Sequence, residues 1–293
     1  MRLETAHRVA LGTVLFGMDY GVDGSRRIAP GEGARILELG RSRGMDTLDT
    51  ASAYGESEDV LGQMHVDEWR VVTKVPPVPR DGADARKWVV TCASESLKRL
   101  RIPALHGLLL HRAADLLEPW ADGVYAGLRD CQERGWTRKV GISIYGPDEL
   151  AAIVPRYPLS LVQAPFNVVD RRMRDSGWLD RLKDAGAEIH ARSLFLQGLL
   201  LMPTAARPRA FGRWDALWHT WEEWLRANGS SALNACLGFV LADARIDRAV
   251  VGVASRAQLH EILDGPDEPC APAPAALASD DANLVNPSRW IDR

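Results

Sequence analysis

Residues suited to proton transfer stand at the ends of three consecutive β-like runs. Asp49 closes the run TLDT, Lys74 closes RVVTK and His111 closes GLLLH. Tyr54 follows Asp49 by five positions, in a stretch of small residues. A phenol donates a proton to a carbonyl oxygen, and a lysine ammonium beside it stabilises the phenolate and lowers the phenol pKa. With the aspartate holding the lysine and the imidazole bonded to the same carbonyl oxygen, the set fits carbonyl reduction.

Taken singly, each of these residues has a simpler explanation. Asp49 suits a turn or a helix cap, and Tyr54 a surface aromatic. Lys74 suits a solvated strand end, and His111 the polar exit from a buried strand. Their joint placement at three strand ends and one following loop favours the chemical interpretation.

The elements that must position these residues alternate along the whole chain. The predicted strands are 9–14, 47–50, 70–74, 107–111, 139–143, 161–163, 188–193 and 248–253. Between them lie segments with apolar residues at helical spacing, several closed by glycine. Eight βα units predict an α/β fold, the (β/α)8 TIM barrel, whose strands bring catalytic side chains to one rim. A doubly wound open sheet is the alternative, but no GxGxxG follows the first strand.

Domain organisation is predicted to be simple. Residues 1–263 form the barrel domain, and residues 264–293 form an extended C-terminal tail over the barrel. The reason is the stretch DGPDEPCAPAPAALASDD at 264–281, whose proline and alanine content is typical of a connector.

Composition narrows the classes of partner. The net charge is −3 with both signs dispersed, so no basic surface argues for nucleic acid. The four cysteines are far apart and form no CxxC, which indicates reduced thiols and no metal site. No basic and apolar leader opens the chain, and no apolar run approaches the ~18 residues of a membrane span. A cytoplasmic protein with a small-molecule substrate is expected, and its oligomeric state is left open.

Several pieces of the chain resemble the aldo-keto reductase family. They are LGTVLFG, TLDTASAYGESEDVLG, VVTK, LLLH, RGWTRKVGIS, LVQAPFN, ARSLFLQGLLL and VVGVASRAQLHEIL. The resemblance covers nearly the whole chain. It implies a (β/α)8 barrel and an NAD(P) cofactor bound without a Rossmann fold. It also implies a catalytic tetrad of Asp49, Tyr54, Lys74 and His111, with Tyr54 as proton donor.

The same resemblance implies the cofactor contacts. They are Ser143, Gln163, Arg192, Ser193, Phe195, Ser255, Arg256 and Gln258. Ser143 and Gln163 would meet the nicotinamide carboxamide, although Ile144 replaces the asparagine that relatives usually carry after the serine. NADPH is expected because Arg256 offers a base for a 2′-phosphate. NADH is the alternative because Arg256 is a single base.

Arg192 stands where many relatives have an aromatic residue stacked on the nicotinamide. A guanidinium is planar and weakly hydrated, so it could stack there too, or it could turn away to pair with a carboxylate. At the substrate end, Trp120 and Trp290 are expected to overhang the pocket. The predicted function is NAD(P)H-dependent reduction of an aldehyde or ketone. The alternative is a nucleotide-binding, redox-sensing subunit with little turnover.

Overall fold

Eight parallel strands close into a barrel in the computed structural model, which describes residues 6–22, 24–79, 84–265 and 271–290. Every predicted strand is present, so the (β/α)8 prediction is confirmed. The strands are β1 (Val9–Gly12), β2 (Thr47–Asp49), β3 (Arg70–Val75), β4 (Leu105–Leu110), β5 (Thr137–Ser143), β6 (Leu161–Pro165), β7 (Glu188–Arg192) and β8 (Arg248–Gly252).

Helices lie between the strands, in the loops at the barrel mouth and in the tail. They are α1 (Val14–Gly17), α2 (Pro30–Ser42), α3 (Ser57–Gln63), α4 (Ala85–Leu100), α5 (Ala121–Glu133), α6 (Asp148–Ile153), α7 (Arg172–Asp175), α8 (Trp178–Asp184), α9 (Asp215–Ala227), α10 (Ala232–Leu241), α11 (Arg256–Leu263) and α12 (Ala282–Val285). Short 3₁₀ turns lie in the loops after β4 and β7 and in the tail. None of the helices in the described ranges is both long and apolar enough to cross a membrane.

Strand register explains why the chemical residues share one rim. Gly12 of β1 is paired with Asp49 of β2, and Lys74 of β3 with Leu109 of β4. Leu109 is fully buried in a small cluster with Val72 and Leu161. This small apolar layer precedes the polar residues that stand at the C-terminal ends of the strands.

The tail packs on the barrel rather than trailing from it. Leu277 and Leu284 are fully buried in a second apolar cluster that contains Trp218 and Trp221 of α9. Arg171 donates to the carbonyl of Pro274 at 2.8 Å, which ties the tail to the loop after β6. The division of the chain at residue 263 stays a prediction.

The cysteines that the structure describes are buried and form no disulfide with one another. They are Cys92, Cys131 and Cys236. Cys270 lies outside the described residues.

Candidate active site

Asp49 and Lys74 form a buried ion pair at the C-terminal ends of β2 and β3. The ammonium Nζ of Lys74 lies 2.9 and 2.8 Å from Oδ1 and Oδ2 of Asp49, and 2.9 Å from the carbonyl oxygen of Thr50. An ammonium has three hydrogens, so these contacts use all of them. Both side chains are almost fully buried, which fixes the charge of the lysine in one place.

Tyr54 lies beside this pair, in the loop between β2 and α3. The Nζ of Lys74 is 5.2 Å from the centroid of the Tyr54 ring. The loop is held by a close approach of backbone, because a Cβ on Gly17 would lie 1.9 Å from the carbonyl oxygen of Tyr54. Gly55 takes the left-handed region at φ +57°. Two glycines therefore set the position of the phenol.

His111 completes the set from the end of β4. Its backbone N–H donates to the carbonyl of Val75 at 3.0 Å, continuing the pairing of β4 with β3 by one residue. The imidazole meets the Tyr54 ring edge to face, with centroids 5.8 Å apart and planes at 83°. The two side chains can thus face one substrate oxygen.

The electrostatics of the phenol differ from the sequence expectation. Burial, reinforced by the negative charge of Asp49, raises the pKa of Tyr54 above its ordinary value. The positive charge of Arg192 acts in the opposite direction but does not reverse this shift in the pKa of Tyr54. Burial and the nearby Lys74 charge lower the pKa of His111 to about 4. At neutral pH the site therefore presents a protonated phenol and a neutral imidazole.

Gln163 connects the predicted cofactor contacts to the ion pair. Its Nε2 donates to Oδ1 of Asp49 at 2.6 Å, and its Oε1 lies 3.5 Å from the hydroxyl of Ser143. Both residues are buried, and they are paired across the neighbouring strands β5 and β6. The Ser143 hydroxyl is the donor in this long contact, and a carboxamide that replaced it would meet a hydroxyl donor and an amide acceptor.

Arg192 is held at the end of β7 without pairing to a carboxylate in the part of the chain that the structure describes. It donates to the carbonyl of Ile144 at 2.7 Å and to the hydroxyl of Ser193 at 3.1 Å. Its guanidinium carbon lies 4.7 Å from the centroid of the Tyr145 ring. Pairing with a carboxylate, the alternative drawn from the sequence, is not seen among the described residues. Stacking on the nicotinamide stays a prediction.

One cavity of about 790 Å³ joins these residues. All four predicted catalytic residues line it, as do Ser143, Gln163, Arg192, Ser193, Phe195 and Gln258. The loop after β7 is strained where it borders the cavity, because Ser193, Leu196 and Gln197 have φ of 59°, 48° and 52°. The buried Oε1 of Gln197 has no partner within the described ranges. Size, donor set and this unpartnered oxygen fit a nicotinamide dinucleotide.

The three residues predicted near the adenosine lie at the start of α11. Ser255 caps this helix, accepting from the backbone N–H of Gln258 at 3.2 Å. The side chain of Gln258 accepts in turn from the N–H of Ala254 at 2.7 Å. The backbone N–H of Arg256 donates to Oε1 of Glu32 at 2.6 Å. Of the three, Gln258 lines the cavity and the other two do not.

The tryptophans proposed for the substrate pocket do not line this cavity. Trp120 precedes α5 and packs against the core around the barrel. Trp290 packs edge to face on Phe211, with centroids 4.9 Å apart, in the cluster under the tail. The tail reaches the cavity through Pro287 and Ser288 instead.

Other cavity residues were missed from the sequence. Tyr145 stands two positions after Ser143, so its place beyond the end of β5 could have been recognised. Tyr20 follows α1, and its hydroxyl accepts from Nε2 of Gln197 at 2.9 Å. No sequence signal distinguishes Tyr20, because its contact with Gln197 joins residues 177 positions apart in the chain.

The chain is similar in sequence to known reductases. The chain is 25% identical to L-glyceraldehyde 3-phosphate reductase of Escherichia coli over 266 residues, covering 77% of this chain and 76% of that protein. It is 24% identical to 6-dehydroglucose reductase of Novosphingobium aromaticivorans over 272 residues, covering 86% of each.

Solved structures share the fold. An aldo-keto reductase from Bacillus halodurans in its holo form superposes with a TM-score of 0.72 at 18% identity, covering 90% of this chain and 88% of that one. The glycerol dehydrogenase of Gluconobacter oxydans gives 0.69 at 22% identity, with the same coverage.

The model of the Aldo/keto reductase family matches residues 8–266. That span includes every strand of the barrel and all four residues of the predicted tetrad. The chain therefore belongs to the aldo/keto reductase family.

Proposed function

We propose that this chain reduces an aldehyde or a ketone to the alcohol with NAD(P)H, and that Tyr54 is the proton donor. The observation that carries the proposal is the convergence of the four tetrad residues on one cavity at the C-terminal rim of the barrel. The reductase activities in the names of the relatives support an oxidoreductase.

The reduced nicotinamide, when bound, supplies a hydride to the carbonyl carbon. Tyr54 donates a hydrogen bond to the carbonyl oxygen and transfers its proton as negative charge develops there. The raised pKa of the phenol keeps it protonated until that charge appears. Neutral His111 donates a second hydrogen bond to the same oxygen. Lys74, held by Asp49, stabilises the phenolate that remains.

The residues that would hold the nicotinamide are Ser143 and Gln163, through a hydroxyl donor and an amide acceptor. Their placement beside Asp49 brings the reacting ring next to the tetrad. For the other half of the cofactor, the guanidinium of Arg256 supports NADPH. Glu32, hydrogen-bonded to the amide of the same residue, opposes it.

The substrate end of the cavity is apolar and aromatic. Met18, Tyr20, Tyr145 and Leu201 are exposed to solvent and line the cavity. Exposed apolar groups around a catalytic cleft favour a substrate with an apolar or aromatic substituent on the carbonyl.

A panel of carbonyl compounds tests the proposal. Nicotinamide oxidation is followed with the purified chain, each reduced dinucleotide, phenyl-substituted and long-chain aldehydes and ketones, and glyceraldehyde for contrast. Turnover is expected, and it should be faster with the apolar members of the panel. Binding of a dinucleotide without turnover of any member would instead support a redox-sensing subunit.

A further inference from the structure

The active-site cavity extends beyond the barrel mouth to the outer helix α11. Gly252 and Ala254 line it along the end of β8, and Gln258, Glu261 and Ile262 line it on α11. Under the proposed function, the nicotinamide must lie beside Tyr54 at the mouth. The adenosine half of the dinucleotide must then lie at the far end, against α11.

The first turn of α11 would ordinarily attract an anion. Backbone N–H groups at a helix start have no partner within the helix, and the helix dipole favours negative charge there. In this chain a carboxylate already occupies that position. Oε1 of Glu32, on α2, accepts from the N–H of Arg256 at 2.6 Å, and the hydroxyl of Ser255 accepts from the N–H of Gln258 at 3.2 Å.

Glu32 is fixed by contacts on both sides. Nε and an Nη of Arg35 donate to its Oε2 at 2.9 and 2.6 Å. Helices α2 and α11 are also joined at their other ends, where Arg43 donates to the carbonyl of Leu263 at 3.0 Å. The bond from Arg256, followed by that from Arg35, lowers the pKa of Glu32. The group at the start of α11 is thus a charged carboxylate from the neighbouring helix.

A second carboxylate, that of Glu261 on α11, lines this end of the cavity, whereas Glu32 is not among the lining residues. A 2′-phosphate on the adenosine ribose carries a charge of about −1.5 to −2, so two carboxylates repel it. Free ribose hydroxyls donate hydrogen bonds, which carboxylates accept. Of the bases nearby, Arg35 is already bonded to Glu32 through two nitrogens. That leaves Arg256 against the charge of Glu261 and the part of the Glu32 charge that Arg35 does not offset.

We infer that Glu32 selects the cofactor of this chain by excluding a 2′-phosphate, so that the protein uses NADH rather than NADPH. This reverses the expectation drawn from Arg256 in the sequence. The negative charge that decides the choice lies on a residue 224 positions away in the chain.

Equilibrium binding tests the inference without reference to turnover. NADH and NADPH are titrated separately into the wild-type chain and into Glu32→Gln, with quenching of tryptophan fluorescence as the readout. Glutamine keeps an oxygen to accept from the Arg256 N–H and removes only the charge. The wild type is expected to bind NADH at least about tenfold more tightly, a difference of ~1.4 kcal/mol. In Glu32→Gln the Kd for NADPH should fall several-fold while that for NADH stays the same.

Glu38→Gln is the matched control, because it removes an exposed carboxylate from the same helix. It should leave both Kd values as in the wild type. Equal or tighter binding of NADPH by the wild type, unchanged by Glu32→Gln, would overturn the inference and leave the reductase proposal standing. If neither dinucleotide bound, the proposed function itself would fail.

Discussion

The side-chain amide of Gln163 donates a hydrogen bond of 2.6 Å to Oδ1 of Asp49, the carboxylate that holds Lys74. Only the nitrogen of an amide can donate to a carboxylate, so this contact fixes the orientation of the side chain and turns Oε1 toward Ser143. Gln163 therefore belongs both to the predicted nicotinamide pocket and to the support of the tetrad.

Replacing Gln163 should thus affect more than cofactor binding. Hydrogen bonds to charged groups contribute ~1.5–3 kcal/mol, and Gln163→Met removes one from Asp49 while keeping the length of the side chain. We expect kcat to fall by at least about tenfold and the Kd of the nicotinamide cofactor to rise. Ser143→Ala, which leaves Asp49 untouched, should raise the Kd and change kcat little. Identical changes in kcat and Kd for the two variants would mean that Gln163 does not support the tetrad through Asp49.

Gly17 should behave as an active-site residue although it carries no side chain. A methyl group there would lie 1.9 Å from the carbonyl oxygen of Tyr54 and 2.4 Å from the amide nitrogen of Ser57. Gly17→Ala must therefore displace the Tyr54 loop. We expect kcat to fall at least about tenfold and the free energy of unfolding to fall by ~1–3 kcal/mol. Gly31→Ala, whose methyl group would meet nothing within 4 Å, serves as control.

Arg192 should favour the reduced form of the cofactor. Its charge is held at the end of β7 by Ile144 and Ser193, and it lines the cavity that holds Tyr54. Oxidised nicotinamide is cationic and reduced nicotinamide is neutral, so a fixed positive charge beside the ring penalises the oxidised form. A tenfold ratio of Kd values needs only ~1.4 kcal/mol.

Titration of both redox forms into the wild type and Arg192→Tyr measures this effect. The ratio of the Kd of the oxidised form to that of the reduced form should fall in the variant. An unchanged ratio would mean that the guanidinium does not face the nicotinamide.

The barrel could be predicted from the sequence because its strands are short apolar β runs separated by helical patterns, and this alternation is a local signal. The tetrad could be predicted as well, because the C-terminal ends of parallel strands meet at one rim. The contact of Gln163 with Asp49 spans 114 positions and depends on barrel closure, which no local pattern records. The same holds for Glu32 at the start of α11.

The loops were predicted least well. Trp120 and Trp290 were assigned to the substrate pocket by their place in a loop and in the tail. Both instead pack on apolar clusters, and their indole nitrogens are buried without a partner in the described ranges. Aromatic residues in loops are drawn to whatever apolar surface lies beneath them, and the sequence does not show that surface.

His111 should make stability depend on pH. Its pKa is about 4 in the folded chain against an ordinary 6.5, so the unfolded chain takes up the proton first as pH falls. The free energy of unfolding should therefore decrease from about pH 6.5 toward pH 4, and this contribution should be constant above that range. Urea unfolding at pH 5 and pH 7 measures the change. In His111→Gln the decrease should be smaller, and an equal decrease would mean that another group is responsible.

The role of Tyr54 is tested most directly by single-turnover hydride transfer. Enzyme loaded with reduced cofactor is mixed rapidly with an aldehyde that the wild type reduces, and the nicotinamide absorbance is followed for the wild type and for Tyr54→Phe. If Tyr54 donates the proton, the rate should fall by at least roughly 10²-fold while the Kd of the cofactor stays nearly unchanged. Hydride transfer at the wild-type rate in Tyr54→Phe would contradict the mechanism.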